Sequence, residues 1–375
     1  MMYKNRLKNI LPAFILTLFL NPLDARAQQS YPGDSFETRL VLGSHAIGGQ
    51  GGALQDKLYG IDVSYQKSIR HITDNWAKRA NAQSAGIGFV FRDLQYLKGH
   101  ADTSAKSFGQ AYGVVGQADF QLLKSGGTSV NFRPAIGFAY LSKTFFTDKR
   151  NRFIGSHLNE ILKADLSVQM PLSAKVDLVA GAGYLHYSNG GFSIPNSGIN
   201  MLSLSTGLRF KNADLQKKEY KTNFSQLAKN TFEINLGIGR RGVYESREGL
   251  LKSGLYAGYN FFINDILTLK SGFDAVYYYK VFDGTIQTFQ HYGTSNDKWR
   301  TGLSIGAETT LWRLALNAQV GKYLHYNSYS EYEDINWFWT TGLVYYVSPH
   351  VGLQAKTYLH GSQADFINYG LVFKM

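Results

Sequence analysis

The chain has 375 residues, a length that suits two soluble domains or one large β-barrel. Its 25 Tyr, 24 Phe and 39 Gly residues, with only 18% charged residues, favour many strands with aromatic rims over helical packing. The absence of cysteine excludes disulfides and thiolate metal sites. The net charge of +12 suits anionic lipid head groups, and without a nucleic-acid-binding motif no nucleic acid is expected as a partner.

Residues 1–27 have the pattern of a cleavable signal peptide. Basic residues precede an apolar run at 10–20, and a small-residue cleavage site follows at 25–27. The apolar run is about half as long as a transmembrane helix requires, so a membrane anchor is the weaker interpretation. We therefore expect an exported protein whose mature chain begins near Gln28.

After the signal peptide, apolar and polar residues alternate in segments of about ten residues, as at 232–241, 299–311 and 367–374. This period is typical of transmembrane β-barrel strands. The apolar set must face lipid, because a Lys or Arg on that face at mid-bilayer costs roughly 2–4 kcal/mol. Residues 367–374 resemble the terminal strand that the barrel-assembly machinery reads, so that machinery is an expected partner during insertion.

The alternating segments predict an all-β fold, a transmembrane antiparallel β-barrel. Their number is about sixteen, and an even count fits closure. Two connections, 67–83 and the charged stretch 211–229, break the alternation of short turns with long loops. The second could join two eight-stranded barrels. Because only the last strand carries a terminal signal, we expect one large barrel of about 14–16 strands, with halves at 28–210 and 230–375.

One cluster of polar residues suggests chemistry. Strand alternation places His186 and Ser188 on the lipid-facing side of one strand and Asn200 on the same side of the next. All three would lie at the external ends of their strands. Ester hydrolysis needs a nucleophile, a base and a group that orients the base, and Ser188, His186 and Asn200 can fill these roles in that order.

Polar residues at a barrel rim are also common as wet interface residues, and a bare His-x-Ser pattern is weak. Two repeats of the tripeptide Tyr-Leu-His serve as internal controls, since alternation turns His325 and His360 into the lumen. Only His186 combines the lipid face with a serine two residues later. In the loop that follows, Asn189 and Asn196 are candidates to bind the oxyanion or to support the loop.

The segment from about 41 to 210 resembles the outer-membrane lipid A 3-O-deacylase family, also known as acyloxyacyl hydrolase-like proteins. The resemblance lies in Gly-Ser-His-Leu-Asn at 155–159 and in the pattern H-x-S-N-G, P-N-x-G-x-N that begins at His186. It implies that His186 and Ser188 act as base and nucleophile on the outer face of a barrel. No cofactor and no metal are implied.

The chain departs from this family at Asn200, where the prototypes carry Glu. Asn can orient an imidazole but does not stabilise the imidazolium. The His-Ser-Asn set is also similar to that of outer-membrane phospholipase A. That enzyme has an Arg shortly after the motif, where this chain has Gly191 and Phe192, so a calcium-dependent dimer site is not supported.

The sequence thus predicts a serine esterase of the bacterial outer membrane that removes an O-linked acyl chain from lipid A. A phospholipase A, or a porin-like barrel without activity, are the alternatives. Basic loop residues could hold lipid phosphates, although each is equally well explained as ordinary solvated charge. They are Lys143, Lys149, Arg150, Arg152, Arg240, Arg241 and Arg247.

Overall fold

The computed structural model describes residues 33–45, 57–98, 107–212, 219, 221–222, 224, 227–283, 288–290, 296–326, 336–361 and 363–375. The predicted signal peptide lies outside these residues, as do parts of the connection 211–229 and of the segments 281–297 and 326–334, for which the sequence predicts long loops. Among the described residues, no helix is long and apolar enough to cross a membrane.

The first barrel consists of eight antiparallel strands joined in chain order. A five-residue helix, α1 (Asn75–Arg79), lies in the connection between its second and third strands. The strands are β1 (Ser35–His45), β2 (Lys57–Ser68), β3 (Ala82–Asp93), β4 (Gln110–Ser125), β5 (Thr128–Leu141), β6 (Leu158–Pro171), β7 (Val176–Ser188) and β8 (Ile199–Lys211).

The second barrel also closes with eight strands, and a short hairpin and a 3-10 helix (Asn296–Lys298) lie in the connection after its third strand. The elements in chain order are β9 (Thr231–Gly242), β10 (Gly249–Phe262), β11 (Leu267–Tyr278), the hairpin β12 (Val281–Asp283) and β13 (Thr288–Gln290), β14 (Trp299–Leu311), β15 (Leu314–His325), β16 (Trp337–Ser348), β17 (Val351–His360) and β18 (Gln363–Lys374).

The β-barrel class is confirmed, but the expectation of one large barrel is wrong. Strand β8 pairs with β1, from Ser35 opposite Lys211 to His45 opposite Met201, and β18 pairs with β9. Each set of eight strands therefore satisfies its own edges, and no pairing joins β8 to β9 among the described strands. The presence of a terminal-strand signal in the last strand only does not reveal how many barrels the chain forms, because closure depends on which strands meet in space.

Both barrels carry an apolar belt on their outer walls, as the alternation predicts. The exposed side chains of a barrel strand face lipid, so they are apolar, while the opposite set fills the interior. Examples in the first barrel are Leu40, Ile87, Val114, Phe138, Leu162 and Leu204, and in the second Phe232, Ile238, Ile305, Val320, Leu353 and Tyr369.

The interiors of both barrels are filled by buried ion pairs. In the first, Arg133 lies between Glu37 and Asp119, and in the second, Lys270 lies between Glu233 and Glu308. An eight-stranded barrel is just wide enough for side chains to fill it. Inward glycines add no channel space; a Cβ at Gly183, for example, would lie 2.3 Å from Oδ1 of Asp165. The filled interiors argue against the porin alternative.

Arg133 should be a principal stabiliser of the first barrel. Arg133→Ala would leave two buried carboxylates without their main partner, and we expect the free energy of unfolding to fall by about 3–5 kcal/mol. The matched control is Arg79→Ala, since Arg79 is half exposed and lies 4.0 Å from Asp265; it should cost less than about 1 kcal/mol. Urea unfolding in lipid vesicles, followed by tryptophan fluorescence, measures both. Equal losses would contradict the assignment.

Candidate active site

Three strands of the first barrel bring the predicted site residues together on its outer wall. Strand β7 ends with His186 and Ser188, and the register places His186 directly opposite Asn200 at the start of β8. On the other side of β7, Ser188 lies opposite Glu160 of β6. Directly paired residues of an antiparallel sheet point to the same face, so all four side chains share the lipid-facing wall at its external rim.

Asn200 fixes the orientation of His186. Its Oδ1 lies 2.6 Å from Nδ1 of His186 and accepts a second hydrogen bond, also 2.6 Å long, from the Tyr184 hydroxyl. Because an amide oxygen only accepts, Nδ1 carries the proton and Nε2 of the neutral ring is left as the acceptor. This is the tautomer that a general base requires.

Two N–H donors hold Ser188. Its Oγ accepts from the Gly190 amide at 3.1 Å and from Nδ2 of Asn196 at 2.9 Å. Within the described part of the chain no hydrogen bond joins Ser188 to His186, and catalytic hydrogen bonds are often open without substrate. When Oγ turns to an ester carbonyl, the two donors are free to bind the oxygen on which negative charge develops.

Asn189 belongs to the scaffold of the loop. It is buried, its Nδ2 donates to Oγ of Ser156 at 2.9 Å and to the Ser193 carbonyl at 3.0 Å, and its Oδ1 accepts from the Gly191 amide at 3.1 Å. These bonds tie the loop to the segment before β6. Of the two candidate asparagines, Asn196 is the one whose amide reaches Ser188.

The motif at 155–159 braces the site from below. Ser156 accepts from Asn189, and its carbonyl accepts from Nδ2 of Asn159 at 2.7 Å. His157 stacks on Tyr140, and its Nδ1 lies 2.7 Å from the Leu141 carbonyl. Ser156 thus joins the two external loops, while His157 and Asn159 bond to the end of β5 and to their own segment. Among the described residues, no hydrogen bond joins these three side chains to Ser188 or His186.

Sequence reasoning missed Glu160. It shares the lipid-facing parity of Leu158 and Leu162, and a carboxylate on that face needs a partner because lipid offers none. Tyr369 of the second barrel lies beside Glu160 and interacts with its carboxyl group. The signal that could have identified Glu160 is in the sequence: a charged residue on the lipid-facing side of the strand, directly after the motif at 155–159.

The predicted basic residues divide into occupied and exposed groups. Arg150 pairs with Asp148 and lowers the pKa of that carboxyl to about 2 through its hydrogen bonds. Arg241 is buried and donates to the Ala364 and Asp365 carbonyls, so its expected role toward lipid phosphate is wrong. Its inward position follows the alternation of β9.

The remaining cations lie on the external loops of both barrels. Lys149 lies 4.1 Å from the Phe145 ring centroid, and Arg240 lies 4.7 Å from that of Phe192. Arg152 and Arg247 are exposed.

A shallow apolar groove of about 830 Å³ lies on the membrane side of the site. It crosses the outer wall of the first barrel and reaches Tyr184, whose hydroxyl contacts Asn200. An apolar groove below a polar cluster can hold a hydrocarbon chain while the polar group at its end stays at the rim. Its outward lining residues include Leu42, Ala164, Leu166, Ala182, Leu202 and Leu204.

Two family models match the chain. Residues 59–209 match the model described as lipid A 3-O-deacylase (PagL), and residues 230–375 match the model described as acyloxyacyl hydrolase, C-terminal domain. Together the matches take in most of the chain: the first extends from β2 to β8, and the second includes all strands of the second barrel. A search of curated proteins finds no match.

Solved outer-membrane proteins are similar at low identity. The outer membrane enzyme PagL is 17% identical over 46% of this chain and 97% of its own, with a TM-score of 0.33. Neisserial surface protein A is 15% identical over 48% and 97%, with a TM-score of 0.32. Omp33 of Acinetobacter baumannii is 10% identical over 92% and 100%, with a TM-score of 0.17. The assignment below depends on the family models and not on these likenesses.

Taken together, the outer-wall polar cluster, the apolar belts and the family models define an outer-membrane ester hydrolase. Residues 59–209 match the lipid A 3-O-deacylase family, and residues 230–375 match the acyloxyacyl hydrolase C-terminal domain. The protein is a membrane-embedded enzyme that removes an acyl chain from lipid A, as the sequence predicted.

Proposed function

We propose that Ser188, His186 and Asn200 carry out this deacylation, with Ser188 as nucleophile, His186 as base and Asn200 as the group that orients the base. The observation that supports the proposal most is the set of three hydrogen bonds around these residues. His186 is held in the required tautomer by Asn200, and the neighbouring Ser188 faces two N–H donors. All of them lie at the level where acyl esters of the outer leaflet meet the rim.

The reaction follows the order of serine ester hydrolysis. Oγ of Ser188 attacks the ester carbonyl carbon while Nε2 of His186 takes its proton, and the carbonyl oxygen becomes an oxyanion bound by the Gly190 amide and Asn196. The ester C–O bond then breaks, and His186 returns the proton to the departing sugar hydroxyl. Water, deprotonated by His186, hydrolyses the acyl-enzyme, which releases the fatty acid and restores Ser188.

The groove and the external cations extend the proposal to substrate binding. The acyl chain of the scissile ester would lie in the apolar groove below Tyr184. Lipid A phosphates would lie among the cations at the external ends of the two barrels, Arg152, Arg240 and Arg247, because a guanidinium binds phosphate with paired hydrogen bonds.

We also propose a division of labour along the chain. Residues 28–210 would form the catalytic unit, 211–229 its charged connection, and 230–375 a second barrel with its own role. The apolar alternation of the final strand, with Leu371 and Phe373 on its outer face, is the feature the barrel-assembly machinery would read during insertion. Because the His-Ser-Asn set with Asn200 is also similar to that of outer-membrane phospholipase A, glycerophospholipid is the second substrate to be tested.

Ser188→Ala and His186→Ala should each abolish deacylation while the barrels remain folded, since each removes a group that forms or breaks bonds. The control is His325→Ala, because His325 lies at the mouth of the other barrel with inward parity. Mass spectrometry of lipid A incubated with purified, heat-modifiable protein measures the loss of an acyl chain. Wild-type activity in Ser188→Ala would reject the mechanism, and release of fatty acid from phospholipid alone would identify a phospholipase.

Asn196→Ala should lower kcat by about 10²–10³, the usual effect of removing one oxyanion donor. KM should change little, because the hydrogen bond strengthens only as the oxyanion forms. Initial rates over a range of lipid A concentrations separate the two constants. A rise in KM by the same factor, with kcat unchanged, would show that Asn196 binds the substrate and does not stabilise the transition state.

Asn200→Ala should lower kcat about 10- to 100-fold, because a hydrogen bond to a group that becomes charged contributes about 1.5–3 kcal/mol. Asn200→Glu should retain activity, since a carboxylate can accept the same Nδ1 proton and also stabilise the imidazolium. Initial rates of the wild type and both variants over a range of lipid A concentrations give the kcat values that check this. If neither substitution changes kcat, Asn200 has no part in the mechanism.

A further inference from the structure

The external end of the second barrel is docked on the catalytic loop of the first. The Gly242 amide donates to the Gly191 carbonyl at 2.8 Å, and the Glu245 amide donates to the Ile194 carbonyl at 3.2 Å. Ile194 and Tyr244 form a parallel β-bridge between the same segments. The loop that follows Ser188 is therefore held by backbone hydrogen bonds from the turn between β9 and β10.

Side chains reinforce this junction. Arg152, in the loop before β6, donates to the Tyr244 hydroxyl at 3.0 Å and lies 3.7 Å from the Glu245 carboxylate. Arg240 of β9 lies over the Phe192 ring. The contacts come from two loops of the first barrel and from one end of the second, which limits rotation of one barrel against the other.

Ile367 of β18 packs against Gly190, two residues after the proposed nucleophile. It lies on the outer face of its strand, where Tyr369 and Leu371 are 49% and 40% exposed, yet Ile367 is only 5% exposed. Gly190 covers it: a Cβ at Gly190 would lie 2.2 Å from Cδ1 of Ile367, and Gly190 has a φ of +60°. Only glycine suits both this left-handed backbone and this close approach.

Gly190 connects this packing to the chemistry, because its amide is one of the two donors on Oγ of Ser188. Glu160, opposite Ser188, interacts with Tyr369, two residues beyond Ile367 on the same face of β18. The outer wall of the second barrel thus touches the site on both sides of the nucleophile.

We propose that the second barrel completes the active site. Ile367 is a positioning residue that holds the Gly190 amide in place for the oxyanion, and the Glu160–Tyr369 pair forms the wall beside Ser188. The inference rests on the proposed function, because it assigns Gly190 its donor role. The proposal also gives the C-terminal domain a role. Without the second barrel, loop 189–195 would be held by the first barrel alone.

The kinetic test uses the full chain with lipid A in mixed micelles. Ile367→Ala should lower kcat about tenfold with little change in KM, because the loop loses its packing while the binding surface stays, and Ile367→Val should restore most of the rate. Leu371→Ala is the matched control, being on the same face of the same strand but exposed; it should match wild type. A wild-type kcat in folded Ile367→Ala protein, or an equal loss in Leu371→Ala, would overturn the proposal.

The Glu160–Tyr369 contact is tested with Tyr369→Phe, Glu160→Gln and the double variant. Tyr369→Phe should lower kcat/KM several-fold. The fold-loss of kcat/KM in the double variant should be smaller than the product of the two single losses, because the two residues act through one contact. Multiplicative losses would show that the two residues act separately, against the proposed wall.

Docking is tested without any activity measurement. The chain has no cysteine, so Ile194→Cys with Tyr244→Cys should form a disulfide in membranes, since paired residues of neighbouring strands are within disulfide reach. Ile194→Cys with Leu371→Cys should not. Failure of the first pair to form would overturn the inference whatever the enzyme does. Disulfide formation in the Ile194→Cys/Tyr244→Cys variant, together with no acyl release by the wild-type chain, would reject the proposed function and leave the docking intact.

Discussion

Every backbone N–H and C=O that crosses the bilayer must be paired within the protein, because hydrocarbon offers no partner. The pairing of β8 with β1 and of β18 with β9 meets this demand twice. Closure at eight strands then determines the barrel interior, the lipid-facing surface and the position of the site. It makes each interior narrow enough to be filled by side chains, sends the alternate set to lipid, and leaves the outer wall at the rim as the place where a lipid-hydrolysing site can be exposed.

The wall that faces lipid is also the wall on which the proposed catalytic residues lie. On it the apolar belt is interrupted at the external ends of β6, β7 and β8, where polar groups satisfy one another. His186 is paired with Asn200, Ser188 with Asn196, and Glu160 with a tyrosine of the other barrel. Each pairing removes a polar group from unfavourable contact with lipid and at the same time fixes its orientation. Stability and preorganisation therefore have the same physical source here.

The two barrels are unequal in what they bring to the junction. The first supplies the polar cluster and a glycine-rich loop whose backbone can approach closely, and the second supplies the turn after β9 and the outer face of β18. Loops are the least constrained parts of a barrel, so a loop that carries oxyanion donors gains from a rigid neighbour. A second closed barrel is such a neighbour, because its strands are held on both sides by pairing.

The sequence alone determined what depends on local period and spacing. Period-two alternation was enough to predict the β-barrel class, to place His186 and Ser188 outward and to turn His360 inward, where the structure buries it. Tertiary structure decided what depends on contacts between distant segments. Whether β8 closes on β1 or continues to β9 is a choice between partners with the same local pattern. Tyr369 reaches Glu160 across more than 200 residues only because two independently closed walls meet, and no period within a strand encodes such a meeting.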